Sequence, residues 1–146
     1  MALELSAINA ISYQILQSNY TVLDLEHPGP GSDDLSFNFN ASELMRQENG
    51  SDKLEAILEV SVNPKGESPS GFSVDVAVRG IFVATYAVEN GSAEDFEMFM
   101  KINAFTLLYA FIRSHVQMLT SISPSGQVCL PCLDVGSIAE MLLASS

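Results

Sequence analysis

Cationic side chains are scarce in this sequence, which has 6 Lys and Arg residues against 18 Asp and Glu residues and a net charge of −12. Nucleic acids and anionic lipid surfaces are themselves negatively charged, so their binding to this chain is electrostatically unfavourable. Charged residues of both signs make up only 16% of the chain, whereas apolar residues make up 47%. Disorder requires the opposite balance, so we expect a folded protein without a nucleic-acid partner.

Long uninterrupted apolar runs are also missing. The most apolar stretch, residues 102–119, contains Arg113, His115 and Gln117 and stops short of the roughly 20 residues that a membrane-spanning helix needs. The N-terminus has Glu4 where a signal peptide would carry Lys or Arg, and no cleavage pattern of small residues follows it. The two cysteines provide no disulfide framework. We therefore expect a cytoplasmic protein that does not insert into a membrane.

The length of the chain and its low content of charged residues limit the possible architectures. A chain of 146 residues is long enough for one domain with a core and too short for two domains of ordinary size, so we expect a single domain over residues 1–146. With so few charged residues, a monomer has too little polar surface to cover its core. This shortage favours self-association, or a ligand that covers the remaining apolar area.

Apolar and polar residues alternate with a period of two in three segments, residues 35–41, 54–62 and 72–78. An earlier strand is predicted over residues 13–26 with an interruption around Ser18 and Asn19, although residues 2–16 also fit a helical pattern. Turn-forming residues between these segments favour a four-stranded antiparallel meander with one buried face. Gly80 predicts a bulge or bend in the fourth strand before it continues to Tyr86.

After Asn90 and Gly91 the apolar period changes towards 3.6, which predicts a helix from Ser92 to about Ser121 with a break near Asn103. The helix carries a wide apolar stripe that can pack both on the sheet and on a partner helix. The predicted oligomer interface is therefore formed by Phe105, Leu108, Ile112 and Val116. An extended segment over residues 127–135 and a short helix over residues 137–144 complete a predicted α+β fold.

This order of elements, a four-stranded antiparallel sheet, a long helix, an extended loop and a short C-terminal helix, is similar to that of the SecB family of protein-export chaperones. Local patterns that resemble the family's motifs follow in the same order: Tyr13-Gln14-Ile15, Gly80-Ile81-Phe82, Phe111-Ile112-Arg113 and residues 127–134. The resemblance covers residues 13–143. Three positions depart from it: Ala110 replaces a proline, Arg79 replaces one glycine of a Gly-Gly pair, and the Pro131 loop is shifted by about one residue.

The resemblance implies a homotetramer, a dimer of dimers, that holds unfolded preproteins for the Sec pathway without ATP or any other cofactor and catalyses no reaction. Candidate client-binding residues follow from their positions: Leu23, Leu25, Val128, Leu130, Leu133, Ile138, Met141 and Leu142. Each of them also fits an ordinary core position. Glu26 and Asp75 match acidic positions at which the family docks the SecA motor, whereas Val22 and Ser73 replace the neighbouring positions of that pattern.

The spacing Cys129-Leu130-Pro131-Cys132 is compatible with a redox dithiol or with half of a zinc site. A thioredoxin-like motif should follow a strand and open a helix, and a zinc site needs about two more ligands, for which His27 and His115 are the only imidazoles. We therefore expect two buried apolar thiols.

Other polar residues give no catalytic constellation. His115 has no nucleophile or carboxylate at an interpretable spacing, and we expect it to face solvent or an interface. Glu55 and Glu59 are expected on a solvated sheet face. No glycine-rich phosphate loop is present.

Two alternatives to a general export chaperone remain open. One keeps the fold but dedicates the chaperone to a single labile partner such as an antitoxin. The other is a thiol-redox or zinc protein that uses the cysteine pair.

Overall fold

The computed structural model describes residues 8–22, 35–48, 50–63, 72–84, 93–122 and 129–144. The fold is α+β, as the sequence predicts. The described residues form strands β1 (Ile8–Val22), β2 (Leu35–Ala41), β3 (Met45–Arg46), β4 (Asp52–Val62) and β5 (Phe72–Ala84), and helices α1 (Ala93–Leu119) and α2 (Val135–Ala144).

The strands form one antiparallel sheet in the order β1-β5-β4-β2, with the short β3 pairing with β4. The predicted meander is therefore wrong, because β1 crosses over to pair with β5 rather than with β2. Apolar content explains the order. Both β4 and β5 bury every second side chain completely, whereas β1 is exposed along most of its length. The most apolar strands take the centre, where burial is greatest.

Helix α1 covers the buried face of β4 and β5. Its side chains Phe105, Leu108, Ile112 and Val116 belong to the same core as Leu58 of β4 and its neighbours. The predicted break near Asn103 is wrong, since α1 runs without interruption to Leu119. The side-chain amide of Asn103 donates to the carbonyl of Phe99 at 2.8 Å, so the polar group is satisfied inside the helix.

Gly80 lies in an uninterrupted β5 and does not produce the predicted bulge. Its place in the core explains why a glycine is needed. A Cβ atom at this position would lie 2.6 Å from the ring of Phe82 and 3.0 Å from Cδ2 of Leu108. The missing side chain makes room for a buried ring and for the approach of α1.

The bulges lie in β1 instead. Its pairing with β5 shifts register between Ala10 and Ser12 and again between Ile15 and Gln17, which leaves Ile11 and Leu16 as the extra residues. The helical alternative for this segment is wrong over the described residues, and the interruption is not at Ser18 and Asn19. Each bulge adds one residue to β1, so residues on the same face are three rather than two positions apart across it. A spacing of three is also typical of helices, which explains why the segment fits a helical pattern.

Candidate functional site

Residues 129–134 are anchored to α1 and are called the anchored loop below. The hydroxyl of Tyr109 donates to the carbonyl of Pro131, and Nε of Arg113 donates to the carbonyl of Leu130 at 3.2 Å. The side chain of Leu130 is buried in the core. Two side chains about one helical turn apart therefore satisfy consecutive carbonyls of a loop that has no regular secondary structure of its own.

The surroundings of Tyr109 keep its hydroxyl available as a donor. Burial raises the pKa of Tyr109, the Arg113 guanidinium partly offsets this by lowering the pKa, and Cys132 raises it slightly. A hydroxyl with a pKa above 10.0 is protonated at neutral pH. The hydrogen bond to Pro131 is therefore present throughout the physiological range.

Helix α2 begins directly after the anchored loop. The carboxylate of Asp134 accepts a hydrogen bond from the backbone N–H of Ser137 at 2.6 Å, in the manner of an N-cap. Hydrogen bonds from the backbone and side chain of Ser137 lower the pKa of the Asp134 carboxyl. The helix then packs Ile138 and Leu142 into the core, which fixes its orientation relative to α1.

The predicted client-binding residues separate into three groups. Leu130, Ile138 and Leu142 are buried in the core of the protomer and offer no surface to a ligand in this conformation. Leu133 and Met141 pack on the core but remain partly exposed. The remaining candidates, Leu23, Leu25 and Val128, lie outside the described residues.

The residues of the predicted oligomer interface all lie inside the protomer. Phe105, Leu108, Ile112 and Val116 are fully buried between α1 and the sheet, at 1% exposure or less. They pack inside the protomer and have no area left with which to contact a second copy. The apolar stripe of α1 is wide because it covers the two central strands, β4 and β5, of the same protomer.

Exposed apolar side chains are concentrated instead where β1 meets α1. The ring centroids of Tyr13 and Phe111 lie 5.1 Å apart in a stacked arrangement, and the His115 ring lies nearly parallel to that of Phe111 at 6.5 Å. Ile15 on β1 is 46% exposed and Met118 on α1 is 63% exposed. We call this set, Tyr13, Ile15, Phe111, His115 and Met118, the edge strip.

The edge strip is not apparent from the sequence because the two bulges hide the alternation of apolar and polar residues in β1. Residues that pair with the core positions of β5 share its helix-side face, and in β1 these include Tyr13, Ile15 and Tyr20. Together with Ala10 and Ser18, which lie on the same face, they are alternately three and two residues apart, a spacing that matches neither a regular strand nor a helix. The two bulge residues, Ile11 and Leu16, are themselves exposed and apolar.

His115 has a partner that sequence spacing did not show, because the two residues are 97 positions apart. Its Nε2 atom lies 2.7 Å from the hydroxyl of Ser18 on β1. A serine nucleophile also needs a group that orients the histidine. No carboxylate in the described ranges is seen to hydrogen-bond the His115 ring, so we assign the contact to holding β1 against α1.

The outer sheet face carries the predicted docking residue Asp75, which is partly exposed and pairs in register with Ser61 of β4. Glu26 lies outside the described residues. Glu55 is only partly solvated, because Nη2 of Arg79 lies 3.0 Å from its carboxylate. Glu59 is partly exposed on the same face, as expected.

The expectation of buried thiols is wrong, since Cys129 and Cys132 are both exposed. The anchored loop explains this: Leu130 turns into the core and the flanking cysteines do not. Across the described residues, no cluster of three or more His, Cys, Asp or Glu side chains is placed to bind a metal ion. Neither described helix combines the length and apolarity needed to cross a bilayer.

An antiparallel sheet covered on one face by a long helix, followed by an anchored loop and a short helix, defines a SecB-like fold. One similar solved structure is the SecB-like chaperone Rv1957 of Mycobacterium tuberculosis in complex with a ChAD peptide from the antitoxin Rv1956 HigA1. The TM-score is 0.55 and the identity 14%, over 88% of this chain and 92% of that chain.

A second similar structure is a protein of unknown function from Streptococcus agalactiae, with a TM-score of 0.54 and 14% identity over 86% of this chain and 97% of that one. The sequence matches no family model and no curated protein. At this identity the two likenesses show the fold of the chain.

Proposed function

We propose that this protein is an ATP-independent chaperone that holds unfolded polypeptides in the cytoplasm and catalyses no reaction. The observation that carries the proposal is the exposure of large apolar side chains at the β1 edge and around α2, in a chain whose core is otherwise well packed. Exposed apolar surface beyond scattered single residues is typical of interaction sites. The SecB-like fold supports the same function.

The two exposed regions suit different partners. Strand β1 is 15 residues long and lies at the edge of the described sheet, so its outer backbone groups are available for pairing. Pairing with the same strand of a second copy forms a symmetric interface and covers the edge strip. The homo-oligomer is therefore assembled through β1, and a tetramer follows as a dimer of such dimers.

The client lies along the anchored loop and α2. Val135 and Leu143 of α2 are 62% and 61% exposed, and the predicted client residues Leu133 of the anchored loop and Met141 of α2 are partly exposed. Burying one large apolar side chain contributes roughly 1.5 to 3 kcal/mol, so several weak contacts together hold an unfolded chain. The flexible thioether of Met141 adapts to different client side chains.

Two client ranges are compatible with this surface. In the general form, the protein holds many preproteins for export and passes them to the SecA motor, with Asp75 on the outer sheet face as a docking residue. In the dedicated form, it protects one labile partner. The second form is favoured by a specific observation, since the similar Mycobacterium tuberculosis chaperone is bound to a peptide from an antitoxin.

The holding function is tested by suppression of aggregation of a chemically unfolded client, measured together with the mass of the chaperone by light scattering. Leu143→Ser combined with Val135→Ser should weaken protection and leave the mass unchanged. Ile15→Ser combined with Met118→Ser should lower the mass. Met45→Ser is the control. Met45 is an exposed apolar residue on β3, which pairs with β4 and not with the edge strand β1.

A wild-type protein that is strictly monomeric and gives no protection contradicts the proposal. Client range is then decided by mass spectrometry of cytosolic proteins bound to wild type but lost with the Leu143 and Val135 double variant. Many preproteins indicate the general form, and one dominant partner indicates the dedicated form. Asp75→Asn should weaken binding of purified SecA if the general form is correct.

A further inference from the structure

A cavity of about 280 Å³ lies between α1 and the anchored loop. It is lined by Ala110, Arg113, Ser114, Gln117, Cys129 and Leu130. Ligand sites in proteins range upward from about 300 Å³, so this cavity is large enough for one arm of a small molecule. The exposed thiol of Cys129 stands at its wall, where a molecule in the cavity can reach it.

Arg113 gives this cavity a positive charge that is rare on this surface. The chain has 6 Lys and Arg residues against 18 acidic ones. Arg46, Lys53, Arg79 and Lys101 all form ion pairs with carboxylates. Arg113 forms none with the described part of the chain, and its only protein acceptor there is the carbonyl of Leu130, which takes the Nε hydrogen.

The two terminal amino groups of Arg113 therefore remain for a ligand in the cavity. A guanidinium is matched in shape and charge by a carboxylate, which accepts two parallel hydrogen bonds from it. The neighbouring Ser114 adds a hydroxyl that donates or accepts as required. The cavity thus combines a carboxylate-binding group with a thiol in reach of the same ligand.

We propose that Cys129 is a modification site for small disulfides that bear a carboxylate, of the class of oxidised glutathione, and that Arg113 selects them. The Cys129 thiolate attacks one sulfur of the disulfide. A new S–S bond forms to Sγ, the original S–S bond breaks, and the second half leaves as a thiolate that takes up the proton lost by Cys129. The Cys129 sulfur is oxidised and the leaving half is reduced, so no further oxidant is needed.

Cys132 provides an internal comparison. It is also exposed, lies three residues away on the same loop, and does not line the cavity. The net charge of −12 repels an anionic disulfide from the protein as a whole and attracts a cationic one. A local positive group such as Arg113 reverses that preference, and Arg113 lines the same cavity as Cys129 but not as Cys132.

The test uses two single-cysteine proteins, Cys132→Ser and Cys129→Ser, and two disulfides of opposite charge, oxidised glutathione and cystamine. The rate of mixed-disulfide formation is followed by intact-protein mass. For each protein, the rate with oxidised glutathione is divided by the rate with cystamine. This ratio cancels the intrinsic reactivity of each thiol.

We expect the ratio at Cys129 to exceed that at Cys132 by about tenfold, because a tenfold preference is what one charge-assisted hydrogen bond from Arg113 to the carboxylate of the disulfide can give. Adding Arg113→Gln to Cys132→Ser should lower the ratio at Cys129 to that at Cys132. If the substitution also loosens the loop, both disulfides encounter the same loosened loop, so the comparison of their rates still holds. Equal ratios in the two single-cysteine proteins, or a Cys129 that reacts with neither disulfide, overturn the proposal. The assay does not depend on any chaperone activity.

Discussion

The ring of Tyr13 on β1 stacks on the ring of Phe111 on α1 at a centroid distance of 5.1 Å and an angle of 16°. Tyr13 also contacts Phe82 edge-on, so it joins the edge strand to both the helix and the central strand β5. Such ring pairs contribute about 0.5 to 1.5 kcal/mol beyond their buried area. The edge strand is thereby held in place while its residue Ile15 stays exposed, which suits a surface that pairs with another copy.

Gly80→Ala should destabilise the protein by about 1 to 3 kcal/mol, the usual cost of overpacking a core. The added Cβ would meet the ring of Phe82 at 2.6 Å, and since that ring is fully buried, any shift of it disturbs the core. The free energy of unfolding is measured by urea denaturation.

Gly136→Ala is the matched control for this substitution. Its Cβ would lie 3.4 Å from the nearest atom, Oδ1 of Asp134, which is an ordinary contact. Since Gly136 is in α2, alanine there should raise stability by up to about 1 kcal/mol. Equal changes in the free energy of unfolding at both positions would show that the close approach to Phe82 does not determine the cost of Gly80→Ala.

The sequence is sufficient for the type and order of β2, β4, β5 and the two helices, but not for the type of the first element, for the short β3 or for the partner of β1. In β4 and β5 the alternation of apolar and polar residues matches the alternation of buried and partly exposed side chains, because one face of each strand packs on α1. The position of β1 beside β5 depends on contacts between distant segments, such as that between Tyr13 and Phe111, which no local pattern encodes.

The candidate site was harder to predict for the same reason. An apolar pattern indicates that a side chain is buried, but not whether its own protomer or a partner buries it. Leu130 and Ile138 were predicted as client contacts and belong to the core, whereas Val135 and Leu143 were not predicted and are exposed. Leu133 and Met141 are the predicted positions that keep accessible surface.

Arg46→Met should destabilise the protein by about 1 to 2 kcal/mol, because it leaves a nearly buried carboxylate without its cation. The Asp52 side chain is 8% exposed, and its Oδ1 accepts a hydrogen bond from Nε of Arg46 at 3.0 Å, while Arg46 itself is 64% exposed. Adding Asp52→Val should recover part of the loss, which a double-mutant cycle measures.

Lys101→Met serves as the reference for that cycle. Lys101 pairs with Glu97 one turn away on α1, and both side chains are partly exposed. Its removal should change stability by no more than about 0.5 kcal/mol. A loss as large as that of Arg46→Met would mean that burial of the carboxylate does not determine the cost.

Asp134 should make α2 sensitive to acid. Its pKa is lowered in the folded state by hydrogen bonds from Ser137, so its contribution is complete above the ordinary value of 3.8 and is lost as the pH falls through the lower folded value. Asp134→Asn keeps a capping oxygen but does not titrate. The difference in urea midpoint between wild type and Asp134→Asn should therefore shrink as the pH is lowered from 7 to 3. A difference that does not vary with pH would contradict this role.

Tyr109→Phe should loosen the anchored loop without disturbing the core. The ring packs against Phe37 and Phe105 and is retained, while the hydroxyl that donates to the Pro131 carbonyl is removed. Losing one such hydrogen bond costs about 1 kcal/mol, and amide hydrogen exchange should accelerate in residues 129–134 more than in β4. Tyr13→Phe is the control, because no hydrogen bond from the Tyr13 hydroxyl is seen in the described residues. If Tyr109→Phe leaves exchange in the loop unchanged, Arg113 and the burial of Leu130 are sufficient to hold it.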